Sequence, residues 1–258
     1  MALAVSSVLW AGEQVGRYRA HGEAARLFDQ YDNDGYSLAV APARDGGVDL
    51  LVTVSDAPLV SRAPYPTGLA REAALVRSPE RDAFVARHVA GAVRQVDAVE
   101  RILSALAAIV RYDPDRVRRQ EPASVFAERR ANCVGMSELA VDLLRRAGIR
   151  ARTVQGVLRG APGTTGFDPT IGGAYHRWIE VHYPDAGLVF SDPSASVNGV
   201  DARYVPFGRR AYSKPKGLRV TPLSLAGNLA YRTVAAGETR LRLRSTAPKN
   251  GKGETGND

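Results

Sequence analysis

The stretch RRANCVGMSELAVDLLRRAGIR, residues 129–150, decides the fold because it carries the clearest structural pattern in the chain. Its apolar residues recur every three or four positions, which places them on one face of an α-helix. They are Met136, Leu139, Ala140, Leu143, Leu144 and Ala147. Gly148 follows at the position where helices commonly end in a left-handed residue. The pattern therefore predicts a helix over residues 129–148, with Cys133 at or just before its first turn.

Cys133 is the only cysteine in 258 residues, so the chain cannot form an internal disulfide. The first backbone N–H groups of a helix have no partner within the helix, and the helix dipole is positive there. A thiolate in that place is stabilised, which lowers the pKa of the thiol below its free value of about 8.5. The position suits a nucleophile. The alternative role of a lone cysteine is that of a small buried apolar residue.

Two of the four histidines lie on one predicted strand, YHRWIEVHY at residues 175–183. A PDAG turn and a second strand, LVFSDP, follow, so the two strands are predicted to form an antiparallel hairpin. Diagonal neighbours on such strands are about 7–8 Å apart, which puts His176 within side-chain reach of Asp192. His182 lies beside the turn and is too far away. A nucleophilic cysteine needs an oriented base, and His176 with Asp192 is the better pair for that role.

The other two histidines and Asp185 are interpreted as structural or solvent-facing. His21 lies in an alanine-rich stretch that we expect to be helical, and His88 lies inside a predicted helix. Asp185 occupies the hairpin turn, where aspartate is common. Asp168 lies in a glycine-rich loop, RGAPGTTGFDPTIGGA, and is the weaker alternative to Asp192 for the orienting role. This loop is also the expected place for substrate selection.

Composition is that of an ordinary soluble globular protein of one or two domains, at 45% hydrophobic and 24% charged residues. The net charge is 35 − 27 = +8, but the arginines are scattered in pairs, which favours solvated faces over a nucleic-acid partner. No run approaches the roughly 20 apolar residues of a membrane span. The start, MALAVSSVLWAGEQ, lacks a basic leading region, which favours the cytoplasm, and export stays open if the true start lies upstream.

The chain divides into four predicted segments. The first contains a hairpin of GYSLAVA and VDLLVTVS, and helical patterns begin at Ser78 and continue to a second helix that ends at Pro114. The predicted bounds are 1–75 for the β-rich segment, 76–220 for the core, 221–245 for a C-terminal strand segment packed on the core and 246–258 for a disordered tail.

Four motifs together resemble the transglutaminase-like superfamily, the papain-like cysteine enzymes with the chain order Cys, His, Asp. NCVGMSELAVDLLRRAGIRAR resembles the family's nucleophile helix and VQGVL the strand after it. HRWIEV resembles the histidine strand and GLVFSDPS the Asp-Pro strand, so the resemblance covers roughly residues 80–200. It implies an α+β papain-like fold in which the helix carrying Cys133 packs on an antiparallel sheet carrying His176 and Asp192.

By this resemblance Cys133 is the nucleophile, His176 the general base and Asp192 the orienting acid. The implied reaction is acyl transfer from a peptide or protein amide without a cofactor or metal, with hydrolysis favoured over transglutamination. Two departures affect the walls of the site and not the triad. Asn132 precedes the cysteine where the family often has glycine, and Val189 or Phe190 stands where it often has tryptophan.

The backbone N–H of Cys133 is a natural donor to an oxyanion. The candidates for the second donor are Tyr112, Trp178 and Trp10.

Two other hypotheses about function stay open. One is a non-catalytic papain-like domain that binds a peptide or protein partner, although such a domain has no chemical need for all three triad residues. The other is a metal site built from Cys133, His176, His182 and Asp192, which lacks the clustered ligand spacing that zinc prefers. The sequence does not give the oligomeric state.

Overall fold

The computed structural model describes residues 12–22, 25, 27–67, 75–113, 119–159, 174–208 and 217–227. The helices are α1 (Pro79–Val89), α2 (Gln95–Ile109), α3 (Pro122–Glu128) and α4 (Cys133–Arg146). The strands are β1 (Glu13–His21), β2 (Tyr31–Asn33), β3 (Tyr36–Pro42), β4 (Val48–Ser55), β5 (Arg111–Tyr112), β6 (Arg130–Ala131), β7 (Ala151–Leu158), β8 (Ala174–Tyr183), β9 (Gly187–Ser191), β10 (Tyr204–Pro206) and β11 (Arg219–Ala226).

The helix predicted over 129–148 is shorter than expected, and its true start is the cysteine itself. Arg129 adopts a left-handed conformation, with φ 55°, that ends α3. The next two residues form β6, which pairs in parallel with β5. The chain therefore reverses twice just before Cys133, and α4 begins there. The sequence pattern missed α3 because seven residues are too few to show a helical period.

The two helices α1 and α2 were both predicted as helices, although the predicted end of α2 differs from the observed one. Ser78 caps α1, and its side chain accepts a hydrogen bond from the backbone N–H of Arg81 at 3.4 Å. The second helix, α2, ends at Ile109, earlier than the proline that was expected to end it. The chain enters β5 directly after α2, because pairing with β6 requires an extended backbone at Arg111.

The N-terminal strands form a five-stranded sheet with the order β11-β1-β4-β3-β2. The predicted hairpin of β3 and β4 is present in antiparallel register. The helical expectation for His21 is wrong, because it is the last residue of β1 and lies opposite Arg219 of β11. The pairing of β1 with both β4 and β11 overrides the helical propensity of the alanines nearby. β11 adds to this sheet beside β1, and the chain beyond residue 227, including the predicted tail, lies outside the described residues.

A second, four-stranded antiparallel sheet has the order β10-β7-β8-β9 and lies between two cores. One face packs against the helices, and on it Ile179 and Val181 of β8 join the apolar side of α4. The other face packs against the N-terminal sheet, and on it Trp178 contacts Phe190 and Tyr204 edge-on. The architecture is therefore α+β, with the Cys133 helix packed on an antiparallel sheet that carries His176 and leads into Asp192.

No helix within the described ranges is both long enough and apolar enough to cross a bilayer.

A buried ion network joins α1 to α4. The guanidinium of Arg146 is fully buried and lies 2.7 Å from Asp142 and 2.8 Å from Asp82. Arg81 reaches the same carboxylate of Asp142, at 2.8 Å. Buried charges of this kind are stable only while each has its partner. Asp142 is thus the shared anion that holds two buried cations.

We expect Asp142→Ala to lower the free energy of unfolding by about 3–5 kcal/mol, because it leaves two buried guanidinium groups without their shared partner. Chemical denaturation measures this difference. The control is Asp97→Ala, which breaks the more exposed pair of Asp97 with Arg94 and is expected to cost at most about 1 kcal/mol. Equal losses in the two variants would contradict a structural role for the network.

Candidate active site

The first turn of α4 is held by two side chains that accept its free N–H groups. Asn132 Oδ1 accepts from Val134 N at 2.9 Å and from Gly135 N at 3.4 Å. Gln120 Oε1 accepts from the same Gly135 N at 3.1 Å. A Cβ at position 135 would collide with Gln120, which explains the glycine there. The asparagine that departs from the family pattern is therefore the N-cap residue that fixes the direction of Cys133.

Three groups converge on the half-buried thiol of Cys133. Its Sγ is hydrogen-bonded to the side chain of His176 and accepts from the backbone N–H of Arg177. The hydroxyl of Tyr112 contacts both the Sγ and the backbone N–H of Cys133. The end of β5 thus covers the start of α4, at the point where β8 approaches it.

His176 and Asp192 lie next to each other, as the hairpin geometry predicted. In the register of β8 with β9, Ile179 is opposite Ser191, so His176 and Asp192 are diagonal neighbours at the end of the pair. His176 Nε2 lies 2.6 Å from Asp192 Oδ2. Because Nε2 is engaged by the carboxylate, Nδ1 is the ring nitrogen available to exchange a proton with Cys133.

The carboxylate of Asp192 is 1% exposed and is surrounded by donors. Besides His176, it accepts from the backbone N–H of Ser194 at 2.9 Å and from its hydroxyl at 2.6 Å. The hydroxyl of Tyr204 donates to Oδ2 at 2.8 Å. Burial raises the pKa of this carboxyl, but the charge of His176 and these hydrogen bonds outweigh burial and lower it. Asp192 is therefore a buried anion.

The charges of Cys133 and His176 support each other. Burial raises the pKa of the Cys133 thiol, but the hydrogen bond and charge of His176 reverse this, and the net pKa lies below the ordinary value. Burial disfavours a charged imidazole, yet Asp192 and then Cys133 raise the pKa of His176 to about 10. A lowered thiol pKa and a raised imidazole pKa both favour a thiolate–imidazolium pair over the neutral thiol and imidazole.

The remaining sequence candidates lie elsewhere. His182 is at the far end of β8, where its backbone carbonyl accepts from Gln95, and the ring of His88 contacts that of Phe84 in α1 at a tilted angle. Asp185 is in the β8–β9 turn, bonded to Ser61. No group of three or more potential metal ligands occurs in the part of the chain that the structure describes.

The candidates for a second oxyanion donor differ in their position relative to Cys133. Tyr112 touches Cys133, whereas Trp178 is fully buried between the two sheets, where its Nε1 has no hydrogen-bond partner among the residues that the structure describes. Trp10, like Asp168 and the glycine-rich loop from residue 160, lies outside the described residues.

Sequence reasoning missed three residues of the site: Gln120, Ser194 and Tyr204. Ser194 had a local signal, because a serine two residues after an aspartate commonly closes a turn through that carboxylate. Gln120 and Tyr204 reach the site only through tertiary packing. No motif marks either of them.

Residues 82–193 match the family model of the transglutaminase-like superfamily, and the match includes Cys133, His176 and Asp192. No curated protein matches the chain. Among solved structures, the chain is similar to a proposed cysteine protease from Cytophaga hutchinsonii, at 12% identity and a TM-score of 0.45, over 85% of this chain and 89% of that one. The periplasmic domain of TgpA from Pseudomonas aeruginosa is similar at 15% identity and a TM-score of 0.39, over 71% of this chain and 90% of that one.

We expect His176→Ala to move the alkylation of Cys133 by iodoacetamide to higher pH. In the wild type, the imidazolium outweighs burial and stabilises the thiolate, so at neutral pH alkylation should be faster than that of a free thiol. Without the imidazole, burial is the dominant influence on the thiol pKa. The midpoint of the alkylation rate against pH should therefore rise to or above the free-thiol value of about 8.5. The measurement is the alkylation rate against pH, followed by mass spectrometry of the intact protein.

The matched control is His182→Ala, which removes a histidine from the same strand but away from Cys133. Its profile should coincide with the wild-type profile. If His176→Ala also coincides with the wild type, His176 is not the partner of the thiol.

Proposed function

We propose that this chain, whose residues 82–193 form a domain of the transglutaminase-like superfamily, is an enzyme that cleaves peptide or protein amides through a cysteine thioester. The observation that carries the proposal is the hydrogen bond of Cys133, at the start of a helix, with an imidazole that lies 2.6 Å from a buried carboxylate. This set contains a nucleophile, a base and an orienting group in one chain of contacts.

The proposed reaction has two halves. The thiolate of Cys133 attacks the amide carbon, and His176 passes its proton to the leaving nitrogen, so the C–N bond breaks and a thioester forms. An acceptor then attacks the thioester carbon and gives a proton to His176, and the C–S bond breaks to restore the thiolate and imidazolium. Asp192 stays ionised throughout and holds the imidazole in the orientation that both proton transfers need.

The oxyanion formed in each half would lie near the N-terminus of α4. The backbone N–H of Cys133 is one donor there. The Tyr112 hydroxyl contacts this N–H and is the proposed second donor. Burial, together with the nearby Cys133 and Asp192, raises the pKa of Tyr112 to about 12, so the phenol keeps its proton at neutral pH and can donate it to an oxyanion.

Water is the proposed acceptor, because hydrolysis needs no second bound substrate. Transfer to a primary amine, as in a transglutaminase, uses the same triad and is the second candidate. A domain that only binds a partner is disfavoured, since the buried charges of His176 and Asp192 cost desolvation energy that binding alone does not require.

We expect Cys133→Ala to abolish turnover of any responsive peptide while the domain stays folded, because a small residue fits the first turn of α4. Asp192→Asn should keep the shape of the site but lower the rate by about three to four orders of magnitude, because the amide holds the imidazole in the wrong tautomer. The assay offers a library of glutamine-containing peptides with a primary amine and follows cleaved peptide, ammonia and amine-linked product.

The products decide between the candidates. Backbone cleavage supports a peptidase, and amine incorporation supports a transglutaminase. The enzyme proposal is wrong if no product forms across the library and Cys133 also fails to react faster than a free thiol. In that case the chain is a binding domain.

A further inference from the structure

The two oxygens of Asp192 have different sets of partners. Oδ1 accepts both hydrogen bonds from Ser194, which follows closely in the chain. Oδ2 faces His176, and the other donor to that oxygen is the hydroxyl of Tyr204, at 2.8 Å. The oxygen that holds the imidazole is therefore also held by a residue of β10, which lies outside the β8–β9 hairpin.

Tyr204 has little freedom to move its hydroxyl. Its side chain is fully buried, and its ring lies edge-on to both His176 and Trp178, with centroid distances of 5.8 and 5.4 Å. In β10, Tyr204 pairs with Leu158 of β7. Close approach of these strands requires Gly156, because a Cβ there would collide with the carbonyl oxygen of Val205 and the ring of Trp178.

The N-terminal sheet is hydrogen-bonded to the chain around β10. Buried tyrosine hydroxyls of that sheet donate to backbone carbonyls near Tyr204. The bonds are Tyr18 to Ala202 O at 2.6 Å, Tyr36 to Tyr204 O at 2.7 Å and Tyr31 to Phe207 O at 3.0 Å. The three tyrosines come from β1, β3 and β2. Since β10 is a three-residue strand at the edge of its sheet, these bonds fix its position from the other layer.

We propose that Tyr204 is a positioning residue for the His176–Asp192 pair, and that the N-terminal sheet acts on the reaction through Tyr36 and Tyr204. The inference rests on the proposed function and adds a role for the N-terminal layer. A hydrogen bond to the ionised form of a carboxylate favours that form. The Tyr204 hydroxyl therefore keeps Oδ2 unprotonated and aimed at the imidazole, so that the proton stays on His176 and the thiolate of Cys133 persists.

The test is Tyr204→Phe, which keeps the ring and removes the donor. Asp192 should then take up a proton more readily, so the proton that it shares with His176 should lie closer to the carboxylate. The weaker positive charge on the imidazole should leave the Cys133 thiol harder to ionise. In the plot of iodoacetamide alkylation rate at Cys133 against pH, we call the rise of the rate on the acid side the acid limb. We expect the midpoint of this limb to move upward by about one pH unit. On any peptide that the wild type cleaves, kcat should fall about tenfold while KM stays unchanged.

The matched control is Tyr183→Phe. Tyr183 is also fully buried, and its hydroxyl donates to Asn198 at 2.6 Å, on the face toward the helices. Its loss should lower stability but leave the acid limb in place. Tyr36→Phe keeps Tyr204 and should move the acid limb in the same direction by a smaller amount, which tests the inference even if Tyr204→Phe does not fold.

The outcomes separate this inference from the proposed function. Fast alkylation in the wild type together with an unmoved acid limb in folded Tyr204→Phe, or an equal movement in Tyr183→Phe, overturns the positioning role alone. Alkylation of the wild type no faster than that of a free thiol overturns the proposed function and the positioning role together.

Discussion

The burial of the Asp192 carboxylate is the constraint around which the candidate site is organised. An ionised carboxylate removed from water loses several kcal/mol of hydration unless donors replace the water. Asp192 has such donors from three directions: the β8 strand supplies His176, the turn after β9 supplies Ser194, and β10 supplies Tyr204. Each of these segments must therefore be correctly placed for the anion to be stable. The pairing of His176 with Asp192 therefore does two things: it orients the imidazole, and it helps to stabilise the buried anion within the folded sheet.

The second constraint is that the four-stranded sheet is covered on both faces. In β8, Trp178 faces the N-terminal sheet while the next residue, Ile179, faces the helices. Its buried acidic residue, Glu180, is paired with Asn33 at 2.9 Å and with Arg152. His176 is not enclosed between these two layers, because it lies near the start of β8, where the strand passes the N-terminus of α4. The reactive groups thus lie at one end of a rigid sheet, which fixes their mutual geometry.

The sequence was informative where periodic patterns are long or local turns are strong. The apolar period of α4, the Ser78 cap and the hairpin of β8 and β9 all predicted the observed elements, and through them the neighbouring positions of His176 and Asp192. The start of α4 was predicted four residues early, because the reversal at Arg129 depends on the pairing of β5 with β6. The alternation in β8 did not reveal its inner face, because both faces are buried. Tyr204 could not be predicted, since only the contact of two sheets brings it to the site.

The Cys133–His176 pair also determines how the site responds to pH. The His176 pKa is raised above its unfolded value of about 6.5, so its stabilisation is full below that pH and is lost as pH rises toward about 10. The Cys133 pKa is lowered, so its stabilisation is full above about 8.5 and is lost as pH falls toward the folded pKa. Below about 6.5 the His176 contribution no longer changes with pH, and above about 8.5 the Cys133 contribution no longer changes.

Above about 8.5 the contribution of the pair to stability should therefore decline as pH rises toward about 10, because only His176 still titrates there. Denaturation of the wild type and of the double variant Cys133→Ala, His176→Ala across the pH range isolates that contribution as a difference. A difference that is flat with pH would contradict a resting ion pair. A plateau at neutral pH that ends at about 8.5 would mean that the thiolate and the imidazolium coexist there, and that this charge-separated state is the one in which the pair stabilises the fold most.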